Sequence, residues 1–197
     1  MNKKWLYLII LAGALLSFFY DKQIMLIVSQ SRTVLLNELA LWLTSPLTII
    51  IIFLMMTTLL MWEENKRKWV IPLWASAAVS AVLTIILKVI VHRIRPFEAL
   101  KLPLVQGLNY NFNALDFSFP SQHTVIVFSL VPILSEGFPK LKPFWVTLAL
   151  LISLSRVYLG VHYLSDVLSG CLLGLLIGHG IILSGKRWFF KWKRKKN

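Results

Sequence analysis

The sequence predicts an all-α, polytopic membrane protein. Two observations carry that expectation. Of its 197 residues 57% are hydrophobic and only 15% charged, with a mean hydropathy of +0.73, too apolar for a soluble domain of this size. Its apolar runs approach the ~20 residues that a bilayer-crossing helix needs, and they lack the strict alternation of a membrane barrel. One membrane-embedded domain over residues 1–197 is expected, built from six transmembrane helices and an additional interfacial helical segment.

The spans fall at roughly 5–20, 45–62, 69–91, 121–137, 143–158 and 164–183. The first, "KKWLYLIILAGALLSFF", has the charged start of a signal peptide, but "SFFYDK" lacks a small-residue cleavage site, so it is read as an anchor. Next comes "QIMLIVSQSRTVLLNELALWLTS", with helically spaced apolar residues interrupted by Arg32, Asn37 and Glu38. That pattern suits an amphipathic helix lying in the interface. The stretch 97–119 between the third and fourth spans is rich in Phe, Tyr and Leu and is expected to fold over a pocket mouth as a lid, with Glu98 and Asp116 available to select a headgroup. In the last span Gly170, Gly174 and Gly178 recur every four residues, a face for close helix packing, and "SAAVSA" near residue 80 offers the same to the third.

Lys3 and Lys4, "EENKRK", Lys140 and Lys142, and the basic tail 185–197 fall on one side if the spans alternate. The positive-inside rule makes that side, with both termini, cytoplasmic. The net charge of +13 is therefore topology signal and attraction to an anionic leaflet rather than a nucleic-acid surface. The lone cysteine, Cys171, excludes an internal disulfide. Nothing in the sequence indicates an oligomeric state.

A second set of charges does not fit topology. Lys88, His92, Arg93, Arg95, His123, Arg156, His162 and Asp166 map to the outer ends of the third to sixth spans, where ionisable groups are costly and mark functional sites. In "KVIVHRIRP", Lys88, His92 and Arg95 share a helical face until Pro96 ends it; lipid-headgroup snorkelling is the alternative reading. In "PSQH", Pro120 and Ser121 start a helix whose free N–H groups suit an anion beside His123, although Ser121 could serve only as a cap. In "SRVYLGVHYLSD", Arg156 ends a span, Gly160 permits a turn, and Asp166 stands four residues after His162, able to hold one imidazole nitrogen and aim the other. A surface histidine–aspartate pair is the bland alternative there.

Together these stretches resemble the three-part signature of the type-2 phosphatidic acid phosphatase family, which shares its active-site plan with vanadium haloperoxidases. The signature reads Lys, six residues, Arg-Pro; then Pro-Ser-Gly-His; then Ser-Arg, five residues, His, three residues, Asp. Lys88 to Arg95-Pro96 and Ser155-Arg156 to His162 to Asp166 match it in spacing; Gln122 replaces the glycine. The resemblance implies a membrane lipid phosphate as substrate, attacked by His162 to form a phosphohistidine. Asp166 would support His162, and His123 would act as acid and then base. Lys88, Arg95, Arg156, Ser121 and the backbone at Gln122 would bind phosphate. No metal or other cofactor is expected, because the motif residues offer several cations and one carboxylate, a poor set for magnesium. His92 and His179 receive no catalytic role. Phosphatidylglycerol phosphate and undecaprenyl pyrophosphate are the substrates the resemblance favours. A transporter or flippase of phosphorylated lipids is the reading from another class, although it leaves the His162 and Asp166 pair without a task and would prefer repeated halves.

Overall fold

The computed structural model describes residues 3–108 and 117–194, with side chains from 4 to 185 within those stretches. Among the described residues the chain is helical: α1 (Lys3–Gln30), α2 (Val34–Thr44), α3 (Pro46–Trp62), α4 (Val70–Val91), the short α5 (Pro96–Ala99), α6 (Gln122–Gly137), α7 (Lys142–Tyr158) and α8 (Leu164–Arg194). Two short 3-10 segments precede α4 and α7.

Among the described residues four stretches are long and apolar enough to cross a membrane, at Lys4–Gln30, Glu64–Ala99, Pro139–Tyr158 and Leu164–Gly185, and α2 with α3 makes a fifth if that pair, bent by 52°, counts as one. The chain is a multi-pass membrane protein. The remaining expected span is α6, whose 16 residues reach only ~24 Å at 1.5 Å per residue. It is also the most enclosed helix, packing against α8, α4 and α7.

The N-terminal third departs from the expectation. The anchor does not end near residue 20; α1 runs unbroken for 28 residues to Gln30, so only Val34–Thr44 remains of the expected interfacial helix. The break placed at Asp21 does not occur because that carboxylate is buried and paired with Arg93 at 2.6 Å. Thr33 then starts α2, its side chain accepting from the Leu36 N–H, and Ser45 does the same for α3 with Pro46 at the first helical position.

The small-residue faces pack as their spacing predicts. A Cβ on Gly174 would stand 2.5 Å from the Val125 carbonyl oxygen and 2.9 Å from the Ser129 nitrogen, and one on Gly170 would stand 3.2 Å from the Ser121 carbonyl. Glycine therefore lets α8 lie directly on the backbone of α6. On the other flank Ser76 and Ser80 of α4 are fully buried, and the Ser76 hydroxyl donates to the Ser129 carbonyl at 3.1 Å. This seam fixes the start of α6 against the start of α8.

Candidate active site

Each of the three charged stretches is shaped by how its helix ends. The helix α4 stops at Val91, because His92 takes a left-handed conformation (φ 51°) as its cap. Lys88, in the last turn, is buried and its ammonium donates to the Phe117 carbonyl. His92 does not join Lys88 on a pocket face: it is exposed, its ring edge-on to Phe117 at 4.5 Å. Arg95 is extended (φ −72°, ψ 151°), as a residue before proline should be. It turns inward, 5% exposed, and donates to the Val161 carbonyl at 2.9 Å.

At the second stretch Ser121 occupies the cap position of α6, yet its hydroxyl caps nothing; it is buried and accepts from the Thr124 hydroxyl at 3.1 Å. The capping explanation for Ser121 thus fails. Gln122 is the first residue of α6 and has no positive φ, so the backbone there does not require glycine. The first-turn N–H groups of such a helix have no partner within it and face outward. His123 follows in that turn, half-buried and hydrogen-bonded to the backbone of Thr44 at the end of α2.

The third stretch is a turn wrapped on a carbonyl. After α7 the N–H groups of Val161 and His162 donate to the Arg156 carbonyl at 3.2 and 3.3 Å. Gly160 makes this possible with φ +79°, and its missing Cβ leaves room for the Arg32 guanidinium. Arg32 braces the turn, donating to the carbonyls of Tyr158 at 3.0 Å and Pro103 at 2.7 Å.

Inside this turn His162 is 2% exposed. Its Nδ1 lies 2.8 Å from the Ser118 carbonyl, which can only accept, so the proton is on Nδ1 and the lone pair on Nε2. Nε2 faces Arg95 Nη1 at 3.3 Å. Burial first, then the charges of Arg95, Arg156 and Lys88 and the neighbouring His123, hold the imidazole well below the ordinary histidine range. His162 is therefore neutral at pH 7. The same three cations act on His123, so both imidazoles and Lys88, Arg95 and Arg156 converge on one site.

Asp166 behaves differently from the expectation. Its nearer oxygen stands 3.7 Å from His162 Nδ1, beyond hydrogen-bond range. Because α8 begins only at Leu164, His162 sits in the turn before it, and four-residue spacing does not stack the pair. Asp166 instead accepts from the Tyr163 N–H at 2.8 Å, from the Ser118 hydroxyl, and from Arg93 at 2.5 Å. The first of these closes a helix-start capping interaction.

The sequence marked Arg93 as a candidate without a role and gave none to Asp21, Ser118 or Ser165; Arg93 and Ser118 bond Asp166, and Asp21 bonds Arg93 and Ser165. A lone carboxylate inside an apolar helix was the available signal for Asp21; Ser118, acting through its carbonyl, carried none. Of the expected lid, residues 97–108 and 117–119 are described, and Asp116 lies outside the described residues. Phe97 is buried with Val105, Leu159 and Val161, while Glu98 is exposed.

A family model described as the PAP2 superfamily matches residues 69–190. Phosphatidylglycerophosphatase B of Bacillus subtilis is 36% identical over 107 residues, 49% of this chain and 48% of that protein. The undecaprenyl-diphosphatase of Sulfolobus acidocaldarius is 32% identical over 128 residues, 62% of this chain and 58% of that one. This chain spans between 30% and 60% of the length of the curated relatives it matches. The crystal structure of a transmembrane PAP2-type phosphatidylglycerolphosphate phosphatase from Bacillus subtilis superposes with a TM-score of 0.70 at 23% identity, covering 93% of this chain and 94% of that one. That likeness speaks for the fold.

Proposed function

This chain belongs to the PAP2 superfamily, and from that premise we propose that it is a lipid phosphate phosphatase working through a phosphohistidine on His162. The observation that carries the reading is the aim of His162: Nδ1–H is tied to the Ser118 carbonyl at 2.8 Å, and Nε2 faces Arg95.

Nε2 attacks phosphorus in line with the lipid oxygen. The N–P bond forms and the P–O bond breaks; the phosphate charge offsets the three cations, so that His123 takes up a proton when substrate binds and gives it to the leaving alkoxide. His123 then takes a proton from water, whose oxygen attacks phosphorus and breaks the N–P bond, freeing inorganic phosphate. Arg95, Arg156 and Lys88, with Ser121 and the N–H groups at Gln122, bind the phosphoryl oxygens. Fixed cations of this kind supply the charge stabilisation that phosphoryl transfer needs without a metal. Asp166, at 3.7 Å, supports the imidazolium through space.

An apolar cleft between α3, α6 and α7, with Ile52, Leu130 and Leu148 among its lining residues, supports a substrate with an apolar chain. Ile126 and Val127, about one turn along α6 from His123, line it together with Ile49, Trp145 and Ala149. Phosphatidylglycerol phosphate is the proposed substrate, with undecaprenyl pyrophosphate the second reading, since relatives carry names of both kinds. Six spans, cytoplasmic termini and an outward-facing site complete the proposal.

The test is phosphate release by purified protein in detergent with excess chelator, comparing kcat/KM for the two lipids. Chelator-resistant release that His162→Ala abolishes is the expected result, and the ratio of constants ranks the lipids. Chelator-sensitive turnover, or full activity in His162→Ala, would reject the mechanism; binding of both lipids without release would favour a transporter.

A further inference from the structure

Asp21 lies in α1, outside the segment that the family model matches, and is 3% exposed. A carboxylate buried in an apolar helix is costly unless paired and hydrogen-bonded, and this one is both. Oδ2 accepts from Arg93 Nη2 at 2.6 Å and from the Ser165 hydroxyl, and Oδ1 accepts from the Ser165 N–H at 3.1 Å.

Arg93 is shared. Its other terminal nitrogen donates to Asp166 Oδ1 at 2.5 Å and to the Ser165 hydroxyl at 2.7 Å. The guanidinium is held between the Phe18 ring at 4.6 Å and the Tyr163 ring at 4.1 Å. The Arg93 carbonyl accepts from the Ser118 N–H at 2.7 Å, and the Ser118 carbonyl is the one that holds His162 Nδ1. One residue thus links α1 and the start of α8 through its side chain, and the end of α4 and the approach to α6 through its backbone.

We propose that Asp21 is a positioning residue for the phosphoryl-transfer site, holding Arg93 and compensating its charge so that Asp166 keeps its negative field on His162. Without Asp21, Arg93 and Asp166 form a neutral pair beside the imidazole. With it, two carboxylates and one guanidinium leave the cluster negative where attack on phosphorus makes the ring positive. The Arg93 backbone, fixed by the same contacts, keeps the Ser118 carbonyl on Nδ1. The kinetic arm of the test rests on the phosphatase reading above.

Asp21→Asn keeps the shape and removes the charge, whereas Asp21→Glu keeps the charge in a longer side chain. For Asp21→Asn, kcat should fall by about tenfold or more, the equivalent of one pKa unit at His162, with KM nearly unchanged. Asp21→Glu should recover part of that loss. A cluster that only staples α1 to α8 predicts that kcat falls in step with melting temperature in both variants, since asparagine sets its NH2 against a donor and glutamate overfills the site; a loss that tracks melting temperature rather than charge overturns the proposal. The second arm needs no turnover: ¹⁵N-histidine NMR in detergent, with the His162 ring signals assigned by their loss in His162→Asn. Those signals should shift in Asp21→Asn and move back toward wild type in Asp21→Glu, and an unmoved ring rejects the idea. An inactive wild type whose ring signals shift as expected would sink the phosphatase reading and leave the Asp21 role standing. If Asp21→Asn does not fold, Ser165→Ala takes its place: it cuts two hydrogen bonds of the cluster while leaving every charge, and should lower kcat by a smaller factor and still shift the ring signals.

Discussion

The two nitrogens of His162 face opposite kinds of surroundings. On the Nδ1 side a backbone carbonyl holds the proton, the Asp166 carboxylate lies 3.7 Å away, and the Arg93 guanidinium joins Asp166 to Asp21. At Nε2 stands Arg95, with the charges of Arg156 and Lys88 close enough to act on the ring. The first environment fixes a proton; the second keeps the ring neutral and gathers positive charge where a phosphoryl group would bind. The difference teaches that burial, and after it the cations gathered for an anion, together hold this imidazole below the ordinary histidine range.

Removing a cation from the Nε2 side tests this contrast most severely. Arg95→Ala should lower kcat/KM for lipid phosphate by on the order of 10³, measured as phosphate release. It should also move the acid limb of the kcat/KM profile upward. In wild type burial and then the cations disfavour the imidazolium, so Nε2 stays unprotonated as pH falls through the ordinary histidine value of ~6.5 and the acid limb lies below it. With Arg95 gone, His162 protonates at higher pH. A limb that stays in place would mean that burial alone sets the ring's state.

His123 sharpens the comparison at a smaller scale. His123→Ala should cost about 10² in kcat/KM for a lipid alkoxide leaving group, and much less for an aryl phosphate whose leaving oxygen needs no proton. Equal losses on both substrates would remove His123 from the acid role. Gln122→Gly should change activity least, within about twofold, because Gln122 already has helical backbone and presents its N–H as glycine would. A large gain in phosphate release would show instead that the glutamine side chain obstructs the site.

The residues differ in how legible they were. Lys88, Arg95, Arg156 and His162 could be picked out and brought together because each stands at a helix end whose place is written in local pattern: an apolar run, then Pro96, Gly160 or the start of the next run. The seam of Gly170, Gly174 and Gly178 was readable for the same reason, since a four-residue repeat puts them on one face. His92 was misplaced because the left-handed cap that ends α4 one residue after Val91 is not a glycine and leaves no mark in the pattern. Asp166 was assigned a direct bond to His162 on the assumption that both lay in one helix, and α8 starts two residues too late for that.

By itself, then, the sequence determined that the chain is helical and membrane-embedded, and which charged residues stand at the ends of its apolar runs, because both depend on side chains within a few residues of one another. Only the tertiary structure decided that α1 continues past Asp21, that Asp21 meets Arg93 across 72 residues of chain, and that the Ser118 carbonyl rather than Asp166 holds the His162 proton. Those outcomes depend on how helices dock, and a backbone carbonyl is the same in every residue, so no local pattern can announce which one a histidine will find.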